Sequence, residues 1–256
     1  MREPGPLLVT GASGDLGVAL LRAILQHEPG ASIIAHCLRG RERLAALLDE
    51  ANARDRVRII GADLSMLDGA RTLLAAIGEP GELPHRVVHL PALPLTYERF
   101  AEADLARFTT DVTIQVTSLA ALLQVILPEV ARRCAADSSA PNGKVVAVSS
   151  SVLLGVPPKH TAMYAAAKFA QAGLLRALSA DYADQRVNIN MVAPSMVETA
   201  FLRAIPAKAV EIAAARHPMR RNGQPGDVVP AIEFLLSPAS DYITGTNLPI
   251  TGGIAF

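Results

Sequence analysis

Tyr164 and Lys168 stand four residues apart in the run Tyr-Ala-Ala-Ala-Lys, and three consecutive serines, Ser149, Ser150 and Ser151, lie upstream of them. On a helix this spacing puts the phenol and the ammonium one turn apart on the same face. A phenol titrates near pH 10, too high for easy proton exchange at neutrality. An ammonium about 4 Å away, at an effective dielectric near 20, contributes roughly 4 kcal/mol, at most about three pKa units. The spacing therefore predicts a Tyr164 poised near neutrality by Lys168.

A second constellation is Thr10, Gly11, Ala12, Ser13, Gly14, Asp15, Leu16 and Gly17, which follows one apolar run and opens an amphipathic one. A pyrophosphate approaching backbone N–H groups at a helix N-terminus leaves no room for side chains in the turn, so glycines are needed there. Taken alone, such a turn is equally a tight strand-to-helix connection. Followed by the serine run and the Tyr164/Lys168 pair, it reads as the cradle of a dinucleotide.

These residues need a scaffold that brings distant turns to one edge. Apolar runs at 7–10, 32–37, 56–60, 86–90, 144–149, 188–192 and 247–250 alternate with Ala/Leu-rich helical stretches at 15–26, 41–53, 67–77, 100–107, 110–133, 162–182 and 227–236. Continuous apolar strands alternating with helices predict an α/β fold, a seven-stranded parallel sheet with helices on both faces, as one doubly wound Rossmann-type domain over 1–256. The stretch 199–221 breaks the rhythm just after a strand, where an open α/β sheet binds its ligands.

Composition narrows the function. Half of the residues are hydrophobic, 19% are charged, and 24 basic residues balance 24 acidic ones. A globular core is affordable, and there is no electrostatic footprint for nucleic acid or an anionic membrane. Cys37 and Cys134 are far apart and the six histidines show no ligand spacing, so neither a disulfide framework nor a metal site is expected. No apolar run of about 18 residues and no signal-peptide pattern is read. The expected address is a reducing cytoplasm.

With these motifs in order, the chain resembles the short-chain dehydrogenase/reductase family over essentially its whole length. The resemblance implies Tyr164 as the acid that protonates a carbonyl oxygen, a serine that polarises it, and Lys168 as ribose ligand and pKa modifier. Counting thirteen residues back from Tyr164 selects Ser151 for the serine. The same resemblance puts Asp63 and Leu64, in Gly-Ala-Asp-Leu-Ser, beside the adenine, although Asp63 also reads as a helix cap. It further puts Pro91, Ala92, Pro194, Val197 and Thr199 around the nicotinamide half. The tail Tyr-Ile-Thr-Gly-Thr-Asn-Leu-Pro-Ile-Thr-Gly-Gly fits the compact branch, close to carrier-linked ketoacyl reductases.

Three departures are visible. Asp15 stands where compact members carry glycine, His89-Leu90-Pro91-Ala92 replaces their Asn-Asn-Ala-Gly, and Gln115 takes the position of the Asn that holds a relay water. The second strand ends without a carboxylate and continues into Arg39, a cation suited to a 2′-phosphate, so NADP(H) is the expected cofactor. The expected substrate is a small-molecule or carrier-linked carbonyl, ketoacyl or polyketide-like, under an apolar lid of Met196, Phe201, Leu202, Ile205 and Pro206. Apolar surface on the 110–133 and 162–182 helices implies a homotetramer. The alternative is a cofactor-binding scaffold of the same fold that has lost turnover.

Overall fold

The computed structural model describes residues 5–254. Seven strands, β1 (Leu7–Thr10), β2 (Ile33–Cys37), β3 (Val57–Gly61), β4 (Arg86–His89), β5 (Gly143–Val148), β6 (Val187–Pro194) and β7 (Asn247–Ile250), form one sheet in the order β3-β2-β1-β4-β5-β6-β7. Every neighbouring pair is parallel. All seven agree with the apolar runs to within one or two residues, because strands buried on both faces carry their signal in hydrophobicity alone.

The side chains alternate as a pleated strand requires. Leu8, Val87, Val145 and Ile189 enter one core, together with α3 (Gly69–Ile77), α5 (Ser118–Ala136) and α6 (Ala162–Asp181). Leu7, Val9, Val88, Val146 and Val192 enter the other, with α1 (Asp15–His27), α2 (Arg41–Glu50) and α8 (Pro225–Leu236). Burying each of these large side chains contributes about 1.5–3 kcal/mol, so the sheet is fixed from both sides.

The helices depart more from the sequence reading. The 100–107 stretch is a short turn at Phe100–Glu102, and α4 (Leu105–Val112) starts only at Leu105, capped by the Asp104 carboxylate. From there the chain runs through a π-helical turn, Thr113–Thr117, directly into α5. The continuous helix Leu105–Ala136 is long and apolar enough to cross a membrane by length and composition, contrary to the sequence expectation, yet its apolar stripe packs in the core. A further helix, α7 (Ala207–Arg216), lies within the 199–221 stretch and buries none of its residues, so no periodicity announced it.

The strand order reverses direction between β1 and β4, which opens a crevice at the carboxyl edge of the sheet. Thr10, Arg39, Asp63, Pro91, Ser150 and Pro194 all lie at or just beyond carboxyl ends of strands, so the fold gathers them along this edge.

Candidate active site

The glycine turn has the geometry a dinucleotide requires. Gly11 has φ +71°, and a Cβ there would meet the Pro91 nitrogen at 3.1 Å. Gly17 packs α1 onto the turn, where a Cβ would meet the Ala12 carbonyl oxygen at 2.5 Å. Above Gly14 the nearest atom to such a Cβ is the Gly11 oxygen at 3.4 Å, and no side chain caps α1. The first-turn N–H groups are thus left for an anion. Thr10 closes the floor, its hydroxyl 2.9 Å from His89 Nδ1, and the Gly11 amide donates to His36 Nδ1 at 3.3 Å. Leu16 packs against the core next to the turn.

Asp15 turns out of this cradle. Its Oδ2 accepts the Ala200 amide at 2.6 Å and its Oδ1 pairs with Arg43 Nη2 at 2.8 Å. The Ala200 amide, together with Arg43, holds the Asp15 carboxyl below its usual range against the effect of burial. The unfavourable meeting of a carboxylate with a pyrophosphate is avoided by orientation. Arg43 also donates to the Ser13 carbonyl at 3.1 Å and so belongs to the site.

Past β2, the Ser13 hydroxyl donates to the Arg39 carbonyl at 2.7 Å, and Gly40 passes at φ +77°, leaving the Arg39 side chain exposed. Asp63 spends Oδ1 on the Ser65 hydroxyl at 2.6 Å and the Ser65 amide at 2.9 Å, bonds that lower its pKa. Asp63 thus closes a local turn with Ser65 and caps no helix, since α3 begins at Gly69 after Asp68. Leu64 is corrected: its side chain lies in the core at 4% exposure, so only its backbone faces the edge.

The serine is corrected as well. Ser150, not Ser151, is the serine that draws the Tyr164 phenol's pKa down. Ser150 is buried and caps the short turn Ser151–Leu153, its hydroxyl accepting the Val152 amide at 3.3 Å, which fixes its direction. Ser151 sits inside that turn. Tyr164 and Lys168 share a face of α6, with Lys168 Nζ 6.0 Å from the phenol ring centroid and donating to the Val148 carbonyl at 2.7 Å.

The near-neutral Tyr164 expected from the spacing is not found. Burial pushes the phenol up to about 12, more than the Ser150 hydrogen bond draws it down. Burial brings Lys168 down to about 8, with Asp111 working the other way. Desolvation outweighs the pair attraction because the ammonium is aimed at a backbone carbonyl and not at the phenolic oxygen.

Gln115 is fully buried in the π turn, and both its amide atoms lack a hydrogen-bond partner. Its backbone carbonyl accepts Gln171 Nε2 at 3.2 Å. His89 is buried beside it, also with an unpartnered Nε2, and burial holds its pKa down to about 3.

Over Tyr164 lies a cavity bounded by loop 91–99, α4 and the approach to α6, including Leu93, Thr96, Arg107, Asp111 and His160. Sequence reasoning passed over Arg107 and Asp111, since lone charges on a helix carry no motif. The expected lid is only partly apolar cover. Phe201 stacks obliquely on Tyr164 at 6.0 Å and its carbonyl accepts the Leu95 amide at 3.1 Å, whereas Leu202 and Ile205 turn into the protein. Pro194 ends β6, Val197 packs against the core, and the Thr199 hydroxyl donates to the Val197 carbonyl at 3.3 Å. Ala92 follows Pro91 along the cradle wall, where both are partly buried.

A dinucleotide cradle joined to a Ser-Tyr-Lys set at the carboxyl edge of a doubly wound sheet defines a nicotinamide-dependent oxidoreductase. Residues 11–255 match a family model described as enoyl-(acyl carrier protein) reductase. The chain is 30% identical to cis-4-hydroxycyclohexanecarboxylate dehydrogenase of Sinomonas cyclohexanicum, over 96% of this chain and 94% of that one. It is 28% identical to the rhamnolipids biosynthesis 3-oxoacyl-[acyl-carrier-protein] reductase of Pseudomonas aeruginosa, over 96% and 94%. Levodione reductase shares the fold with TM-score 0.87 at 23% identity, over 99% of both chains. The chain belongs to the short-chain dehydrogenase/reductase family, whose cofactor is NAD(P)H.

Proposed function

We propose that the chain is an NADPH-dependent ketone reductase that turns a ketoacyl or polyketide-like carbonyl, free or carrier-linked, into a secondary alcohol. The observation that carries this reading is the Tyr164 phenol, which Ser150 draws down in pKa, lining a cavity under loop 91–99. The ketoacyl assignment leans on likeness to the Pseudomonas aeruginosa enzyme, which is analogy and not geometry.

The cofactor when bound supplies hydride chemistry. The Gly14 to Gly17 segment and the free N-terminus of α1 would hold its pyrophosphate, and Arg39, whose carbonyl the Ser13 hydroxyl anchors, would hold a 2′-phosphate. The protein's own part is the proton. Tyr164 Oη donates it to the carbonyl oxygen, Ser150 Oγ supports the same oxygen, and the Lys168 ammonium lowers the cost of the phenolate that remains. Phe201 over the ring limits water at that oxygen.

Copies of the chain would pair through the outer faces of α5 and α6, where Val125 and Phe169 are 46% and 50% exposed, as a homotetramer. Steady NADPH consumption with a panel of diketones and ketoesters tests the reductase reading. Quenching of cofactor fluorescence without consumption would instead assign a cofactor-binding scaffold.

A further inference from the structure

The cavity in front of Tyr164 holds an acidic group that the proton transfer does not use. Asp111 lies near the end of α4 and is 8% exposed. Its Oδ1 accepts the Leu93 amide at 2.9 Å, which anchors loop 91–99, and its Oδ2 makes no hydrogen bond among the described residues. Asp111 lines the cavity together with Tyr164, so the unused oxygen has somewhere to point.

Removing a carboxylate from water costs several kcal/mol unless it is paired, and one neutral amide does not offset that. The nearby cation does not pair with it: Arg107, one turn earlier on α4, donates to the Pro94 carbonyl at 2.5 Å. The facing wall is itself held in an uncommon conformation. His160 has φ +67°, and its carbonyl accepts the Glu98 amide at 3.0 Å, which clasps the two loops around the cavity. Asp111 is felt electrostatically by both Tyr164 and Lys168.

We propose that Asp111 Oδ2 is a specificity element that accepts a hydrogen bond from a hydroxyl carried next to the reacting carbonyl, making the preferred substrate a hydroxy ketone. The inference rests on the ketone-reductase reading and narrows it. A carboxylate on the substrate is repelled by Asp111, and a cationic donor meets the Lys168 charge behind it. A neutral hydroxyl satisfies the free oxygen without either penalty. Hydroxylated polyketide-like chains fit this description; plain ketones displace the cavity's water from the carboxylate oxygen and leave it unpaired.

The test uses 3-hydroxy-2-butanone and 2-butanone, the same chain with and without the hydroxyl, on the wild type and Asp111→Asn. Asparagine keeps an oxygen for the Leu93 amide and turns the second position into a donor. The wild type is expected to favour the hydroxy ketone in kcat/KM by about tenfold or more, and Asp111→Asn to bring the ratio to about one or invert it. Equal kcat/KM in the wild type, or a preference that survives Asp111→Asn, overturns the proposal and leaves the reductase standing. Saturation-transfer NMR of the two ketones reads the same preference without turnover. An Asp111-dependent preference there, with no NADPH consumption, supports the specificity role and overturns the reductase instead. If circular dichroism shows Asp111→Asn unfolded, Asp111→Ser takes its place in both measurements.

Discussion

Ser150 draws the pKa of the Tyr164 phenol down while its hydroxyl accepts the Val152 amide at 3.3 Å. The backbone turn thus presets the serine for the second partner, and a carbonyl oxygen placed between the two hydroxyls would receive two donors. Ser151, one residue on, begins the turn and has no such orientation. Ser150→Ala is expected to lower kcat for ketone reduction by about 10²-fold or more, and Ser151→Ala by less than about threefold. Steady-state kinetics of the two variants checks the order; the reverse order would restore Ser151.

The reason for the miscount is local. Counting back from Tyr164 crosses an irregular loop with Pro157 and Pro158, whereas counting forward from β5 does not. The strands were legible because each is an uninterrupted apolar run, and the Tyr164/Lys168 face because it lies within one helix. Asp111, Arg43 and α7 were not. The first two act through contacts with loops distant in sequence, and α7 buries nothing that would leave a period. The titration of Tyr164 was misjudged because spacing reports a neighbour and not the burial that outweighs it.

The proposed cofactor choice rests on Arg39, just past the end of β2. Arg39→Asp is expected to cut kcat/KM for NADPH by about 10²-fold and to raise the relative use of NADH, since a carboxylate repels the 2′-phosphate and accepts the ribose hydroxyl. Kinetics with both cofactors measures it. Equal efficiency of the wild type with NADH and NADPH would contradict the assignment.

Lys168 sets the pH response. Burial lowers its pKa from 10.5 to about 8, while Tyr164 stays protonated up to about 12. Between about 8 and 10.5 the folded protein has released a proton that the unfolded chain still holds. Stability therefore rises with pH across that window, and the penalty for the buried charge is fully present below it. Reduction should weaken as pH rises through about 8, where the ammonium charge is lost. A pH profile of kcat/KM with a limb near 8 that disappears in Lys168→Arg supports this; a profile flat through that region does not.

Gly17 tests the cradle itself. A Cβ would press on the Ala12 carbonyl at 2.5 Å, a backbone atom that cannot step aside. Gly17→Ala is expected to cost about 1–3 kcal/mol in denaturant unfolding and to weaken NADPH binding together with it. Unchanged stability would mean that the turn and α1 separate easily.

The proposed assembly would rest on exposed apolar residues of α5 and α6. Light scattering at micromolar concentration is expected to give a tetramer mass, and Phe169→Glu, which places a charge on the 50% exposed position, to give smaller species. A monomer mass for the wild type would contradict the pairing.

The account turns on Tyr164 as the proton donor, and single-turnover hydride transfer with Tyr164→Phe tests it directly. Phenylalanine keeps the ring and its packing on Phe201 while removing the proton. The expected result is a loss of about 10²–10⁴ in rate with NADPH affinity within about threefold of wild type. Hydride transfer at the wild-type rate in Tyr164→Phe would show that the proton comes from elsewhere and that this cavity is not where reduction occurs.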